Sequence, residues 1–239
     1  MIFFAAILAV AVLSGSAASI VGFGIGSLLT PLLAASIGTD LAVAVVALPH
    51  AVATAIRCWR LRRSIDWGVL KRFGLLSAAG GLAGALAYSR LDPGQLSRVL
   101  GALLLLTAIA QFSGLAARWR PQGAAVALLG LGSGFFGGIA GNQGGLRAAA
   151  LSSFGLPPLA FVATSTATGL LVDAARTPVY LFLTGAKVLA LWQPIVVATL
   201  GVVIGTVAGE RILLGMPRQT FVTVVASAIG LLGVWLLFR

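Results

Sequence analysis

Residues 137–147 read Gly-Gly-Ile-Ala-Gly-Asn-Gln-Gly-Gly-Leu-Arg, and they interrupt an otherwise apolar stretch that runs from Gly123 to Leu156. Glycine lets the backbone leave the helical conformation. An arginine at membrane depth is costly unless it faces a cavity or a partner. Such a sequence inside an apolar segment is typical of a broken helix whose freed backbone groups line a site.

The composition around this stretch defines the class of protein. Of the 239 residues, 59% are hydrophobic and 9% are charged, whereas a soluble domain has about 25% charged residues. The sequence therefore predicts an all-α, polytopic integral membrane protein in a lipid bilayer. The net charge of +11 comes mostly from basic residues in short loops between apolar runs. This is the pattern of orientation signals and lipid headgroup contacts, so we expect no nucleic-acid partner.

Several kinds of chemistry are excluded by residue types that the chain uses once or not at all. One cysteine and one histidine allow neither an internal disulfide nor a metal site built from cysteines or several histidines. No Gly-x-x-x-x-Gly-Lys-Ser/Thr string occurs, so the chain has no phosphate-binding loop for ATP. We therefore expect no metal and no cofactor.

About eight apolar segments can be marked, at roughly 2–36, 41–56, 69–90, 97–117, 123–156, 158–183, 188–209 and 218–238. Six of them are close to the ~20 residues that one membrane crossing needs. Segments one and five have roughly 35 residues each, and a straight helix of that length would measure ~50 Å against a ~30 Å hydrocarbon core. We predict that both are broken at their glycines, with non-helical backbone in residues 22–27 and 141–145.

The long segments come first and fifth, which indicates an internal repeat of about 117 residues. That shift places Gly24 on Gly141 and Gly38 on Gly155. We predict a single transporter domain over 1–239, built from two homologous four-segment halves, 1–117 and 123–239. A basic linker at 118–122 joins them.

Charge gives the orientation only in part. The loop after segment two holds Arg57, Arg60, Arg62 and Arg63, and together with the linker it belongs on the cytoplasmic side by the positive-inside rule. If segments one and five cross the membrane, both termini lie inside. If they re-enter, both termini lie outside and the halves are inverted. The count of basic residues does not choose between these topologies.

The polar residues of the second break are candidates for binding an anion. Asn142, Gln143 and Gly144 lie at the break, and Arg147 follows within two residues of its end. The N-terminus of a half-helix carries partial positive charge and free N–H groups, which together with Arg147 favour an anion. Alternatively, Arg147 extends to the membrane interface, and Asn142 and Gln143 cap the broken helix.

Segment six offers a run of hydroxyls and two opposite charges. Thr164, Ser165 and Thr166 could contact a substrate or bond to their own and neighbouring helices. Asp173 and Arg176 are spaced i, i+3, so they share a helix face and can pair. The pair is either a structural ion pair or a site at which Asp173 accepts a proton during transport.

His50 in segment two is the remaining candidate. It follows Pro49, which should kink the helix and free a carbonyl. Histidine can carry a proton near neutral pH, and the alternative role for His50 is a packing contact.

These features resemble the TauE/SafE-type sulfite exporter family, also called the toluene sulfonate uptake permeases. The resemblance rests on the two long glycine-broken segments, the two-fold repeat, and residues 141–147 followed by Gly155, and it covers nearly the whole chain. It implies a multi-pass permease of the bacterial inner membrane for small sulfur-containing anions: sulfite, sulfonates such as sulfoacetate, or related organic acids. The glycine-rich family motif falls on 22–31 and 141–147, which adds Gly24 and Gly26 to the candidate binding residues.

We therefore predict a secondary transporter that is not an enzyme, with its substrate between segments one and five and flanked by segments two and six. Export is the expected direction, either ion-coupled or facilitated. An intramembrane serine hydrolase would need a serine nucleophile with a histidine base, and no Gly-x-Ser-Gly string occurs. A non-transporting membrane scaffold would have no need of Asn142, Gln143 and Arg147 in a cavity. The sequence leaves open whether the chain forms a homodimer.

Overall fold

The computed structural model describes residues 1–22, 24–113, 121–142, 144–212 and 218–239, and the chain is almost entirely helical over these ranges. The helices are α1 (Ile2–Val21), α2 (Ile25–Ile37), α3 (Thr39–Leu61), α4 (Trp67–Tyr88), α5 (Pro93–Ser113), α6 (Ala124–Ala140), α7 (Gly144–Ser152), α8 (Pro158–Ala190), α9 (Trp192–Ile212) and α10 (Arg218–Leu237). Helix α4 contains a π-helical stretch, Leu70–Gly74. Most of the predicted linker 118–122 lies outside the described residues.

Most of these helices are suited to a lipid environment. Within the described ranges, 7 helices are long and apolar enough to cross a membrane, namely α1, α3, α4, α5, α8, α9 and α10. Helices α2 and α6 are apolar but shorter, with 13 and 17 residues. The prediction of an all-α, polytopic membrane protein is confirmed.

Segment one is broken where its glycines predicted. Helix α1 ends at Gly22, which has a φ of 86° and donates its N–H to the carbonyl of Ala18. Helix α2 begins after Gly24, which has a φ of 137°. Residues other than glycine rarely adopt such φ angles. The two glycines therefore allow the chain to reverse direction here. Phe23, between them, lies outside the described residues.

Segment five is broken in the same way. Helix α6 ends at Gly141, with a φ of 70° and an N–H that donates to the carbonyl of Gly137, and helix α7 begins at Gly144. The conformation of Gly141 matches that of Gly22, because both are left-handed residues that end the first helix of a broken segment. Gly22 and Gly141 therefore have the same local geometry, while the predicted repeat of about 117 residues, which sets Gly24 beside Gly141, stays a prediction.

The helices pair in matching ways in the two halves. Helix α1 packs along α9, where Gly201 and Gly205 lie against the backbone of Leu8 and Val12. Helix α4 packs along α6 with equally close glycine contacts, and α3 packs on α8 and α5 on α10. Small residues let membrane helices approach this closely. The pairing is what two homologous halves would give, and their homology stays a prediction.

The outer ends of α1 and α2 lie away from the break that joins these two helices. Helix α2 packs back against α1, and the C-terminal Arg239 donates to the carbonyl of Ala34 near the end of α2. The end of α1, at Ile20, instead lines a cavity together with Arg60. The segment therefore folds back on itself, and both chain termini lie on the face opposite the basic loop after α3.

Two helices are longer than the sequence predicted. Helix α3 continues past residue 56 to Leu61, so Arg57 lies inside a helix and not in a loop. Helix α8 continues past residue 183 to Ala190 and includes Lys187 in its last turn. A cation is favourable at that position because it complements the negative end of the helix dipole. The first charged residue after an apolar run, Arg57 or Lys187, therefore does not mark the end of the helix.

Candidate functional site

The two helix breaks meet inside the helix bundle. Gly26, near the start of α2, lies so close to the second break that an added Cβ would stand 2.2 Å from the carbonyl oxygen of Gly141. The hydroxyl of Ser27 also donates to Oδ1 of Asn142 at 3.2 Å. Both residues of this hydrogen bond are buried. The contact brings the positive N-terminal ends of two half-helices, α2 and α7, to one region.

Asp173 is the centre of a buried ionic cluster beside the breaks. Its Oδ1 lies 2.9 Å from Nη2 of Arg176 and accepts from Nε at 3.1 Å. Its Oδ2 lies 2.6 Å from Nδ1 of His50. Asp173 and Arg176 are each 1% exposed. The pairing expected from their i, i+3 spacing is present, and His50 is a hydrogen-bonding partner that the sequence did not place there.

Arg176 also attaches the cluster to the second break. Its Nη1 donates to the carbonyl of Gly137, and the hydroxyl of Tyr180, one turn further along α8, donates to the carbonyl of Gly138. Both carbonyls belong to the last turn of α6, at the negative end of that helix. Arg176 is therefore held by a carboxylate and a helix end, which fully explains its burial.

Arg147 has fewer partners. Its side chain is 2% exposed, so it does not extend to the interface. Its Nε donates to the hydroxyl of Ser165 at 3.0 Å, and its Nη2 makes a long contact of 3.5 Å with the carbonyl of Gly22. Its Nη1 has no hydrogen-bond partner among the described residues. Buried guanidinium donors normally find acceptors, so Arg147 is incompletely bonded within the described ranges.

Arg57 is a buried residue that the sequence analysis placed in a loop. It is 5% exposed, and neither its Nε nor its Nη1 finds a partner in the part of the chain that the structure describes. His50, Thr54 and Arg57 are spaced i, i+4, i+7, which puts them on one face of α3. That spacing is the sequence signal that could have identified Arg57.

A cavity lies at the face that carries the basic loop, and Arg57 is part of its wall. It has a volume of about 630 Å³. Its lining residues come from four helices and their ends: Ser19, Ile20, Arg57, Arg60, Leu61, Pro158, Leu159, Val162, Thr206 and Val207. Arg57 is the buried charge in this wall.

The other predicted residues have different surroundings. The hydroxyl of Thr164 accepts the N–H of Asp66 at 2.9 Å and so fixes the loop before α4. The hydroxyl of Thr166 and Nδ2 of Asn142 are buried and lack partners within the described ranges. Gly144 is the buried first residue of α7. Gln143 lies outside the described residues.

The buried charges do not balance. The buried, described side chains include three guanidiniums, Arg57, Arg147 and Arg176, and a single carboxylate, Asp173. With His50 neutral, two positive charges remain uncompensated among these described side chains. An unpaired buried charge is expensive, and such groups at membrane depth mark ion or substrate pathways. This arrangement can hold an anion. Among all the described residues there is no group of three His, Cys, Asp or Glu side chains that could hold a metal ion.

Broken helices that meet at a buried, positively charged site inside a bundle of spanning helices define a multi-pass membrane permease. The chain belongs to the family described as sulfite exporter TauE/SafE, which it matches over residues 7–236. The family predicted from the two glycine motifs is thereby confirmed. This is a transporter family, in agreement with the expectation that the chain is not an enzyme. No curated protein and no solved structure matches the chain.

Proposed function

We propose that the chain carries small sulfur-containing anions, sulfite or sulfonates such as sulfoacetate, across the bacterial inner membrane. The observation that carries the proposal is the buried guanidinium of Arg147, whose Nη1 is without a partner among the described residues. An arginine stays charged at any working pH, and its planar fork suits an oxyanion. A sulfite or sulfonate group has three oxygens and can accept from several donors at once.

The surroundings of Arg147 add further donors. The residue lies in the first turn of α7, where the helix dipole favours an anion. Nδ2 of Asn142 is a neutral donor at the same break. Ser165 orients the guanidinium through Nε. We assign Arg147 the ionic contact and Asn142, with its neighbour Gln143, a role in positioning the anion.

The orientation follows from charge. The exposed residues Arg60, Arg62 and Arg63 follow Arg57 at the end of α3, and the positive-inside rule places them in the cytoplasm. The cavity beside Arg57 then opens to the cytoplasm. Loading from that side is the first step of export. Without an ATP-binding motif, export is either coupled to an ion gradient or facilitated, and the cluster of His50, Asp173 and Arg176 is the candidate for proton coupling.

A flux assay tests the proposal. The purified protein is reconstituted into liposomes, and efflux is measured for sulfite, sulfoacetate, acetate and neutral glycerol. We expect saturable flux of the sulfur anions, little flux of glycerol, and a strong decrease in Arg147→Ala. A protein that folds but moves none of the anions would be a membrane scaffold, and the proposal would be wrong.

A further inference from the structure

We propose that Arg57 is a second anion-binding residue of this site, and that Arg57 and Arg147 together select a substrate with two negative charges. This inference rests on the proposed function, because it takes Arg147 as the first anion-binding residue. It adds the charge class of the substrate and a residue that neither the family motif nor the sequence analysis assigned to binding.

The first step is the state of Arg57. Its side chain is 5% exposed, and two of its three nitrogens, Nε and Nη1, are buried without a partner among the described residues. Its neighbours Arg60 and Arg62 behave differently, since both are exposed and Arg62 stacks on Trp59 and donates to a carbonyl. Arg57 is therefore set apart from the basic loop and faces the interior.

The second step is the proximity of Arg57 to Arg147. A Cβ built on Gly169 would lie 2.9 Å from Nη1 of Arg147 and 3.6 Å from Cγ2 of Thr54. Nη1 of Arg147 is thus close to α3 at Thr54, and Arg57 follows Thr54 by three residues on the same helix face. Arg57 and Arg147, both incompletely bonded, are consequently close enough for their charges to interact where α3 and α8 pack together.

The third step is the balance of charge. Both oxygens of Asp173 are bonded, to Arg176 and His50, so its single negative charge is too little to compensate Arg57 and Arg147 as well. Two like charges at short distance in a medium of low dielectric constant repel each other strongly. One monovalent anion would leave a buried positive charge, whereas a dianion compensates both. A dianion with two separate charged groups offers one group to each guanidinium.

The cavity offers a second source of negative charge. Its wall is partly apolar, with Leu159, Val162 and Val207, and it also holds Arg60. The phosphate of an anionic lipid could reach Arg57 along this wall. The shared chemistry is an anion beside Arg57, and the test has to separate a lipid headgroup from a soluble substrate.

The experiment compares two ligands of nearly equal size. Sulfoacetate carries a sulfonate and a carboxylate, and isethionate carries the same sulfonate with a hydroxyl in place of the second charge. Binding of each is measured by calorimetry on the protein in nanodiscs of phosphatidylcholine, which has no net charge. We expect the unmodified protein to prefer sulfoacetate by roughly ten- to a hundred-fold, the range of one charge-assisted hydrogen bond.

Three variants assign the preference to residues. Arg57→Gln should remove most of the preference for sulfoacetate because it weakens the dianion more than isethionate, whereas Arg147→Gln should weaken both ligands. Arg60→Gln, which removes one charge from the rim of the same cavity, is the matched control and should keep the preference. If Arg57→Gln does not fold, Arg57→Lys replaces it in the experiment. This variant keeps the charge and should show a reduced preference for sulfoacetate.

The outcomes separate the two proposals. If isethionate and sulfoacetate bind equally well, with both dependent on Arg147, the inference is wrong and the proposed function stands. The inference is also wrong, and the proposed function stands, if Arg60→Gln lowers the preference for sulfoacetate as much as Arg57→Gln does. A general positive surface potential then explains the preference. The inference is wrong in a third case, in which Arg57→Gln changes the preference for sulfoacetate only in nanodiscs that contain phosphatidylglycerol. Arg57 then binds a lipid headgroup. If neither anion binds, both proposals fail.

Discussion

Oδ2 of Asp173 lies 2.6 Å from Nδ1 of His50, although the two residues are 123 positions apart in the sequence. The contact joins α3 to α8, and the other oxygen of the same carboxylate binds Arg176. Because Arg176 also donates to the carbonyl of Gly137, the two crossing helices and the second helix break are fixed by one ionic cluster. A change of charge at any member is expected to affect the others.

Arg176→Ala is expected to lower stability more than the loss of an exposed arginine. It leaves Asp173 buried with only His50 as partner, and breaking a buried pair costs about 3–5 kcal/mol unless the carboxylate takes up a proton. Thermal unfolding in detergent measures the effect, with the exposed Arg98→Ala as control. Adding Asp173→Asn should recover part of the loss, and an unchanged melting temperature in Arg176→Ala would contradict the structural role of the pair.

His50→Asn is expected to remove a pH dependence of anion binding. An Asn amide can take the place of Nδ1 opposite Asp173 but does not titrate, whereas histidine changes its charge between about pH 5 and 8. Since a protonated His50 adds positive charge near the site, binding should strengthen as the pH falls. The measurement uses isethionate, which stays ionised throughout. A parallel pH profile in His50→Asn would exclude His50 as the titrating group.

The series Arg147→Lys and Arg147→Ala separates charge from geometry. Lysine keeps the charge and loses the planar fork, so it should weaken anion binding less than alanine does. The loss in Arg147→Ala should be about 1.5–3 kcal/mol, the range for hydrogen bonds to charged groups. Ligand-induced thermal stabilisation with sulfite and sulfoacetate measures it. Equal stabilisation of the unmodified protein and Arg147→Ala would remove Arg147 from the site.

Gly169→Ala is expected to weaken anion binding without lowering stability. The added methyl group would stand 2.9 Å from Nη1 of Arg147, and the flexible guanidinium can move away at little cost. Alanine also favours the helix by up to about 1 kcal/mol relative to glycine. Gly185→Ala, in the same helix with nothing within 4 Å, is the control. Calorimetry with sulfoacetate should show a loss in Gly169→Ala alone, and equal affinities would show that Arg147 does not bind from its present position.

Gly26→Ala is expected to damage the contact between the two breaks. Its methyl group would stand 2.2 Å from the backbone oxygen of Gly141, which cannot move without shifting α6 or α2. Overpacking of this kind typically costs about 1–3 kcal/mol. Gly132→Ala, in α6 with nothing within 4 Å, should be neutral or slightly stabilising. A flux assay and thermal unfolding on both variants would show whether the breaks must touch.

The helices and their breaks could be predicted from local sequence, because lipid imposes a strict rule on the backbone. Every backbone polar group must be bonded within the protein, so apolar runs become helices and their lengths follow from the membrane. The glycines at 22, 24 and 141 marked the breaks because they adopt positive φ angles at little cost. The ion pair of Asp173 and Arg176 followed from i, i+3 spacing on one helix.

The site itself depends on contacts between distant parts of the chain. His50 reaches Asp173, Ser27 reaches Asn142, and Gly26 meets Gly141 only because the two halves pack against each other. Spacing along one helix carries no information about which face a neighbouring helix covers. The sequence by itself determined the family, the helices and the broken segments, because these depend on local composition and the thickness of the membrane. Only the tertiary structure showed that Arg57 is buried and that segment one folds back on itself, because both depend on how helices pack.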